Sequence, residues 1–196
     1  NIIKSSQLIK IPINNKYHFY ADPFFSLNEN FLRLEALSKK NCLGEILEIQ
    51  IDSPYNIKKI ISGQHFSYPI NFSYQGVEYI LPEVASHSPQ YFHQANDSKH
   101  KKYFIKGLEK KRIVDATFYQ KDKIWFLFFT NSTYPNDTLL NLWYSDSPFG
   151  KFQPHQSSPL IISPDTSRMG GRIIKVSDRI IRFGQNNSRE YGKNLS

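Results

Sequence analysis

A single cysteine, Cys42, stands among the 196 residues. That scarcity excludes an internal disulfide framework and a cysteine-rich zinc site, and it fits a reducing, cytoplasmic compartment. No apolar run approaches the roughly 18–20 residues of a transmembrane helix, and no signal-peptide pattern is present. Amphipathic helical periodicity is almost absent. Gly170-Gly171 is followed by neither a Lys-Ser/Thr pair nor a strand–helix pattern, which excludes a Walker or dinucleotide loop. A serine-centred nucleophile elbow is missing too. His18, His65, His87, His93, His100 and His155 lack metal-ligand spacing and read as solvated or structural. The sequence therefore calls for no metal and no cofactor.

What is there leans towards strands. Aromatics make up 15% of the chain, with 15 Phe and 12 Tyr against 2 Trp. Such residues fit a pleated, half-buried surface. Eleven Pro and nine Gly match many short strands and turns. The net charge is +8, concentrated in Lys99, Lys101, Lys102, Lys106, Lys110, Lys111 and Arg112. Interleaved with Tyr103 and Phe104, this segment has the chemistry to track an anionic surface, but a solvated loop is the simpler reading. Without a groove-entering helix or an RNA-binding signature, nucleic acid is not the expected partner.

Short alternating or fully apolar runs recur between turn signals, as in Gly76–Leu81, Ile124–Phe129 and Leu139–Tyr144. Hairpins open in a common phase. Asp22 opens the first, Tyr68 the second and Asp115 the third, at intervals of 46 and 47 residues, and Arg168–Arg172 opens a fourth after 53 more. A repeat in the forties with about four strands per unit predicts an all-β propeller in one domain over 1–196, with blades near 20–60, 65–110, 113–160 and 166–196. In a propeller, the starts of the innermost strands converge on one central funnel. Asp22, Tyr68, Asp115 and Arg168 are thereby expected to meet.

Tyr20-Ala-Asp-Pro-Phe24, Ser67-Tyr-Pro69, Tyr79-Ile-Leu-Pro-Glu83, Val114-Asp-Ala-Thr117, Arg168-Met-Gly-Gly-Arg172 and the stretch from Gln185 to Tyr191-Gly192 occur in a fixed order. Together they resemble the propeller domain at the N-terminus of plant glucosamine inositolphosphorylceramide transferases, and bacterial domains found beside formyltransferase or glycosyltransferase domains. More distantly, the chain is similar to the five-bladed family 43 glycoside hydrolases, in which an Asp-Pro of the first blade is the general base, matching Asp22-Pro23. The resemblance implies five blades, so that the four visible here read as a truncated ring. It also implies a carbohydrate or nucleotide-sugar ligand, with a fused or partner transferase domain.

Glycoside hydrolysis uses two carboxyl groups. The candidates are Asp22 as base, Glu83 as proton donor and Asp115 as an orienting or pKa-tuning group. Asp22 as a turn cap and Glu83 as an arginine partner are the competing structural roles. Glu35, a fourth carboxyl candidate that lies mid-strand among apolar residues, reads equally as a catalyst or as a structural partner of Arg33 or Arg172, and is placed with the substrate-binding residues. Where family 43 enzymes carry their acid glutamate, this chain has Arg168-Met-Gly-Gly-Arg172, a departure that points to recognition of an anionic sugar or sugar phosphate. Tyr68, Gly171, Arg182 and Gln185 complete the expected binding rim, with Tyr191 as a stacking platform. Three functions stay open: an accessory sugar-binding domain, a glycosidase or glycosyltransferase acting through Asp22 and Glu83, and a non-catalytic scaffold presenting the basic segment.

Overall fold

A computed structural model describes residues 10–84, 89–99, 101–132, 138–186 and 194–195. Its described elements are strands, gathered into antiparallel sheets that follow chain order. The first sheet contains β1 (Tyr17–Phe25), β2 (Phe31–Ser38), β3 (Gly44–Gln50) and β4 (Ser53–Ile61). The second contains β5 (Ser67–Tyr74), β6 (Val77–Glu83), β7 (Tyr91–Gln94) and β8 (Tyr103–Phe104). The third contains β9 (Ile113–Lys121), β10 (Ile124–Asn131), β11 (Leu139–Ser145) and β12 (Gln153–Pro154), and β13 (Ile161–Ile162) also pairs with β11.

A fourth unit is slighter. It pairs β14 (Ile174–Val176) with β15 (Arg179–Ile181), and β16 (Gln185–Asn186) with β17 (Asn194–Leu195). Backbone bonds from Gly170 N–H to the Phe183 carbonyl and from Gln185 N–H to the Arg168 carbonyl extend the β14–β15 ladder towards the centre. Among the described residues, no strand pairing joins this unit back to the first sheet.

Local chemistry explains the hairpins. Between β5 and β6 the chain turns at Gln75-Gly76, both at positive φ (51° and 76°). That is the type I′ pattern, whose twist matches the flanking strands and which glycine adopts without steric cost. In β10, Trp125, Leu127 and Phe129 point inward and are nearly fully buried, while the intervening residues are more open. The period of two thus sets the face that meets the core.

Sheets pack face to face. β5 lies against β1 and β2, and β9 lies against β5 and β6. Between the second and third sheets the aromatics interlock edge to face. Phe72 sits 5.1 Å from Phe92, 4.9 Å from Phe118 and 5.6 Å from Trp125, ring centre to ring centre. Ile46, Ile61, Phe66, Ile80 and Tyr91 fill a smaller cluster shared by the first two sheets. The abundant Phe and Tyr of the sequence are thus largely inter-sheet packing.

One polar contact pins the first sheet to the second. Arg33 on β2 is buried, with Nε 2.9 Å from Glu48 of β3 and Nη1 2.6 Å from Glu78 of β6. Glu78 also accepts the Leu27 N–H at 3.0 Å and a hydrogen bond from Asn71 Nδ2. Removing Glu78 leaves a buried guanidinium only partly compensated by Glu48. Glu78→Ala is predicted to lower stability by about 2–4 kcal/mol, while the paired replacement Arg33→Met with Glu78→Leu recovers most of that loss. Urea denaturation of the three proteins checks both statements.

Candidate functional site

Each of the first three units carries the same irregularity at the same place. In β1 the pairing steps from Ala21–Glu35 to Phe24–Arg33, so that Asp22 and Pro23 face one residue of β2. In β5 it steps from Ser67–Glu83 to Ile70–Leu81, setting Tyr68 and Pro69 against one residue of β6. In β9 Asp115 and Ala116 do the same between the Val114–Thr130 and Thr117–Phe128 pairs. The first residue of each bulge is left-handed, with φ of 48° at Asp22, 45° at Tyr68 and 51° at Asp115. Such a φ is strained for a side chain with a Cβ, by roughly 1–3 kcal/mol each, and clusters where a bulge re-aims a side chain.

All three side chains turn into one cleft of about 680 Å³, a size typical of small-molecule sites. Asp22, Glu35, His65, Tyr68, Glu83, Asp115, Arg168, Gly171 and Gln185 are among its lining residues. At its floor, Asp115 Oδ2 accepts from Arg168 Nε at 2.7 Å and from Gln185 Nε2 at 3.3 Å, tying the third sheet to the fourth unit. Glu83 Oε2 accepts the Asp115 N–H at 2.9 Å. Asp22 Oδ2 accepts the Tyr68 N–H at 3.3 Å. The Tyr68 hydroxyl donates to the Gly171 carbonyl at 3.2 Å and lies 3.1 Å from the Thr117 hydroxyl.

Crowding of carboxyl groups shifts their titration. Burial, then the nearby Asp115 charge, raises Asp22, against the Tyr68 N–H and Arg168, which favour its ionised form. Burial and the charge of Asp22 push Glu35 up to about 7. Burial and Asp115 likewise hold Glu83 well above the ordinary carboxyl range. Burial raises the Tyr68 phenol far enough to keep it neutral at physiological pH. The cleft therefore presents carboxyl groups of differing proton affinity side by side, an arrangement found where acid–base or hydrogen-bonding work is done.

The arginines divide. Arg168 lines the cleft with its Nε on Asp115, whereas Arg172 donates to the Phe25 carbonyl and to Asn71 Oδ1, and lines a separate groove with Phe118 and Trp125. Arg182 donates to the Thr166 carbonyl at 2.6 Å and is not a cleft residue. Neither Arg33 nor Arg172 bonds Glu35, whose side chain points into the cleft instead. Gln185 also donates to the Met169 carbonyl at 2.7 Å. Tyr191 lies outside the described residues. Sequence reasoning passed over His65, which carries no spacing signal and enters the cleft just ahead of the Ser67-Tyr-Pro69 motif. Among the described residues, no group of three or more His, Cys, Asp or Glu is arranged to hold a metal ion. No helix among them is long and apolar enough to cross a membrane.

Some known proteins are similar to this chain in sequence, and others in fold. A family model described as "Glucosamine inositolphosphorylceramide transferase 1, N-terminal" matches residues 11–196. Curated relatives called glucosamine inositolphosphorylceramide transferase 1 are 27% identical in Oryza sativa subsp. japonica and 26% identical in Arabidopsis thaliana, each over 91% of this chain. The chain spans about a quarter of their length, 26% and 25% respectively. Among solved structures, a family 43 β-1,3-galactosidase superposes with a TM-score of 0.65 at 12% identity, covering 90% of this chain and 42% of that one. A thermostable family 43 glycoside hydrolase gives 0.60 at 13% identity, covering 91% and 67%. These structural likenesses carry the fold, that of the family 43 propellers, and by themselves no activity.

The raised Glu35 makes a testable demand on stability. Its folded pKa of about 7 exceeds the ordinary 4.5, so between these values the folded state holds more protons than the unfolded chain. The burden of Glu35 is absent below pH 4.5, grows as pH rises towards 7 and is constant above. Glu35→Gln is expected to raise the melting temperature relative to wild type more at pH 8 than at pH 4.5. Thermal scans of both proteins across that range check the sign.

Proposed function

Because the chain belongs to the family of glucosamine inositolphosphorylceramide transferase N-terminal domains, we propose that its central cleft binds a carbohydrate, as an accessory domain of a glycosyltransferase that works on glycolipid. The observation that carries this reading is the threefold bulge. Three strained, left-handed residues direct Asp22, Tyr68 and Asp115 into one cleft, and a fold spends strain of that kind on a site rather than on packing. Sugar hydroxyls both donate and accept hydrogen bonds, as do the neutral carboxyl, carboxylate, phenol and amide groups that line it. Arg168, at the floor, would favour a sugar phosphate or nucleotide sugar at that end. A five-bladed architecture is part of the proposal, supported by the likeness to family 43 propellers. The relatives' names favour a glycosyltransferase over a formyltransferase as the partner activity.

A catalytic reading has one observation in its favour: Glu83, held protonated by burial, and Asp22 line the same cleft and could serve as acid and base. Against it, Glu83 is engaged by the Asp115 backbone, and the fourth unit supplies Arg168 and glycines where the family 43 likeness implies an acid. Binding without hydrolysis is the better fit.

Titration of neutral glycosides, sugar phosphates and nucleotide sugars against wild type, Asp22→Asn and Arg168→Ala tests the proposal. Wild type is expected to bind members of the panel, with roughly tenfold loss in Asp22→Asn, the scale of one charge-assisted hydrogen bond. Equal, weak binding of every compound to all three proteins would overturn it. Aryl glycoside hydrolysis that vanishes in Glu83→Gln would establish the catalytic reading in its place.

A further inference from the structure

Phe19 lines the central cleft and is 44% exposed. Among the described residues, the other Phe and Tyr rings of the lining are taken up by packing. Phe24 and Tyr68 are 7% and 2% exposed and meet edge to face, with ring centres 4.9 Å apart. The neighbours of Phe19 on β1 are packed as well. Tyr17 and Tyr20 lie 5.9 Å apart, centre to centre, against the apolar cluster of the first sheet. Phe19 is part of no apolar cluster among the described residues.

A second bulge aims the ring. In β1 the pairing steps from Tyr17–Ser38 to Tyr20–Ala36, so that His18 and Phe19 face the single residue Leu37 of β2. Neither β5 nor β9 carries a second step of this kind. Such a bulge turns a side chain off the alternation of its strand. β1 also starts five residues ahead of its left-handed bulge residue, whereas β5 starts one ahead and β9 two. Phe19 rides on that extra length. The same position in the second unit, three residues ahead of Tyr68, is His65, and it enters the cleft too. His65 Nδ1 accepts the Gly44 N–H at 2.9 Å. A Cβ on residue 44 would lie 2.8 Å from Glu35 Oε1 and 3.1 Å from His65 Cε1, so glycine is what fits beside them.

A single exposed Phe on an open surface calls for no explanation. One turned by a bulge into a cleft of carboxyl groups does. We propose that Phe19 is a ligand-binding residue of the cleft, a platform on which the C–H face of a pyranose ring stacks. The inference rests on the carbohydrate reading and deepens it. A pyranose is amphipathic: its ring C–H groups form apolar faces, and its hydroxyls project around the rim. The C–H bonds carry partial positive charge and meet the negative face of the phenyl ring. Stacking on Phe19 leaves the rim hydroxyls to the polar groups beside it, Asp22 on the same strand and Glu35, which is paired across from Ala21. Ala21, also in the lining, is small and keeps the space next to the ring open. An acyclic polyol offers the same hydroxyls but no such face.

The test titrates methyl glycosides of glucose, galactose and xylose, glucose 1-phosphate, UDP-glucose and the acyclic polyol glucitol. The proteins are wild type, Phe19→Ala, Phe19→Tyr and Asp22→Asn, and the ligands' proton resonances are followed. In wild type, ring C–H protons on one face of the bound sugar are expected to move upfield, and glucitol is expected to bind more weakly than the cyclic sugars. Phe19→Ala is expected to lose those shifts and to bind roughly three- to tenfold more weakly, the scale of one aromatic stacking contact. Phe19→Tyr, which keeps the ring, is expected to retain the shifts and to stay within twofold of wild type. Because residue 19 is exposed, both variants should melt within a few degrees of wild type. The wild-type shifts decide alone if a variant does not fold. Binding by Phe19→Ala within twofold of wild type, while Asp22→Asn loses about tenfold, would overturn the platform and leave the carbohydrate reading standing. So would sugar protons that do not move upfield in wild type, or upfield shifts confined to the uracil protons of UDP-glucose. Failure of wild type to bind any of these sugars would overturn both.

Discussion

A side chain on a regular β-strand has two directions available, and neither points along the strand towards the mouth of a funnel. The bulges at Asp22, Tyr68 and Asp115 escape that constraint. Each inserts one residue, turns it left-handed and frees its side chain from the alternation that sends its neighbours into the packed faces between sheets. Everything in the cleft hangs on this. The Tyr68 N–H reaches Asp22, and the Asp115 N–H reaches Glu83, because both amides belong to bulged residues whose backbone has rotated off the ladder. Regular strands in the same three places would return those amides to their own sheets.

Strain of this order is tolerable because the surroundings are stiff. Behind the bulges lies the aromatic packing of the second and third sheets, and Arg33 with Glu78 clamps the first sheet to the second. The carboxyl-rich floor depends on the same rigidity. Four carboxyl groups share the cleft, and Arg168 on Asp115 neutralises one of them directly. Loose side chains would move apart and ionise; held in place, Glu35 and Glu83 keep their protons to higher pH. A cleft that offers both neutral and ionised carboxyl groups is well matched to a polyhydroxylated ligand.

Much of this was legible in the sequence, for physical reasons. The spacing of Asp22, Tyr68 and Asp115 reflects one strand geometry repeated in three units, so the expectation that they meet follows from the repeat itself. Short apolar runs between turn signals located β10 and β11. The left-handed backbone was hidden, because Asp and Tyr carry no signal for positive φ of the kind Gly76 gives. Arginine direction was hidden as well. A side chain that long chooses its partner from several angstroms around, and Arg172 turns to Asn71 and the Phe25 carbonyl while Arg168 turns inward. His65 depends on Gly44, a residue 21 positions away whose importance lies in an atom it lacks.

The central claim is that the bulged residues build a ligand site, as opposed to a scaffold whose business lies in the basic segment from Lys99 to Arg112. Amide chemical shifts of the isotopically labelled protein during titration with a neutral glycoside or a nucleotide sugar decide between them most directly. The account predicts saturable shifts confined to Asp22, Tyr68, Asp115, Gly171 and their neighbours around the cleft. Shifts confined to the basic segment, with the cleft amides unmoved, would contradict it.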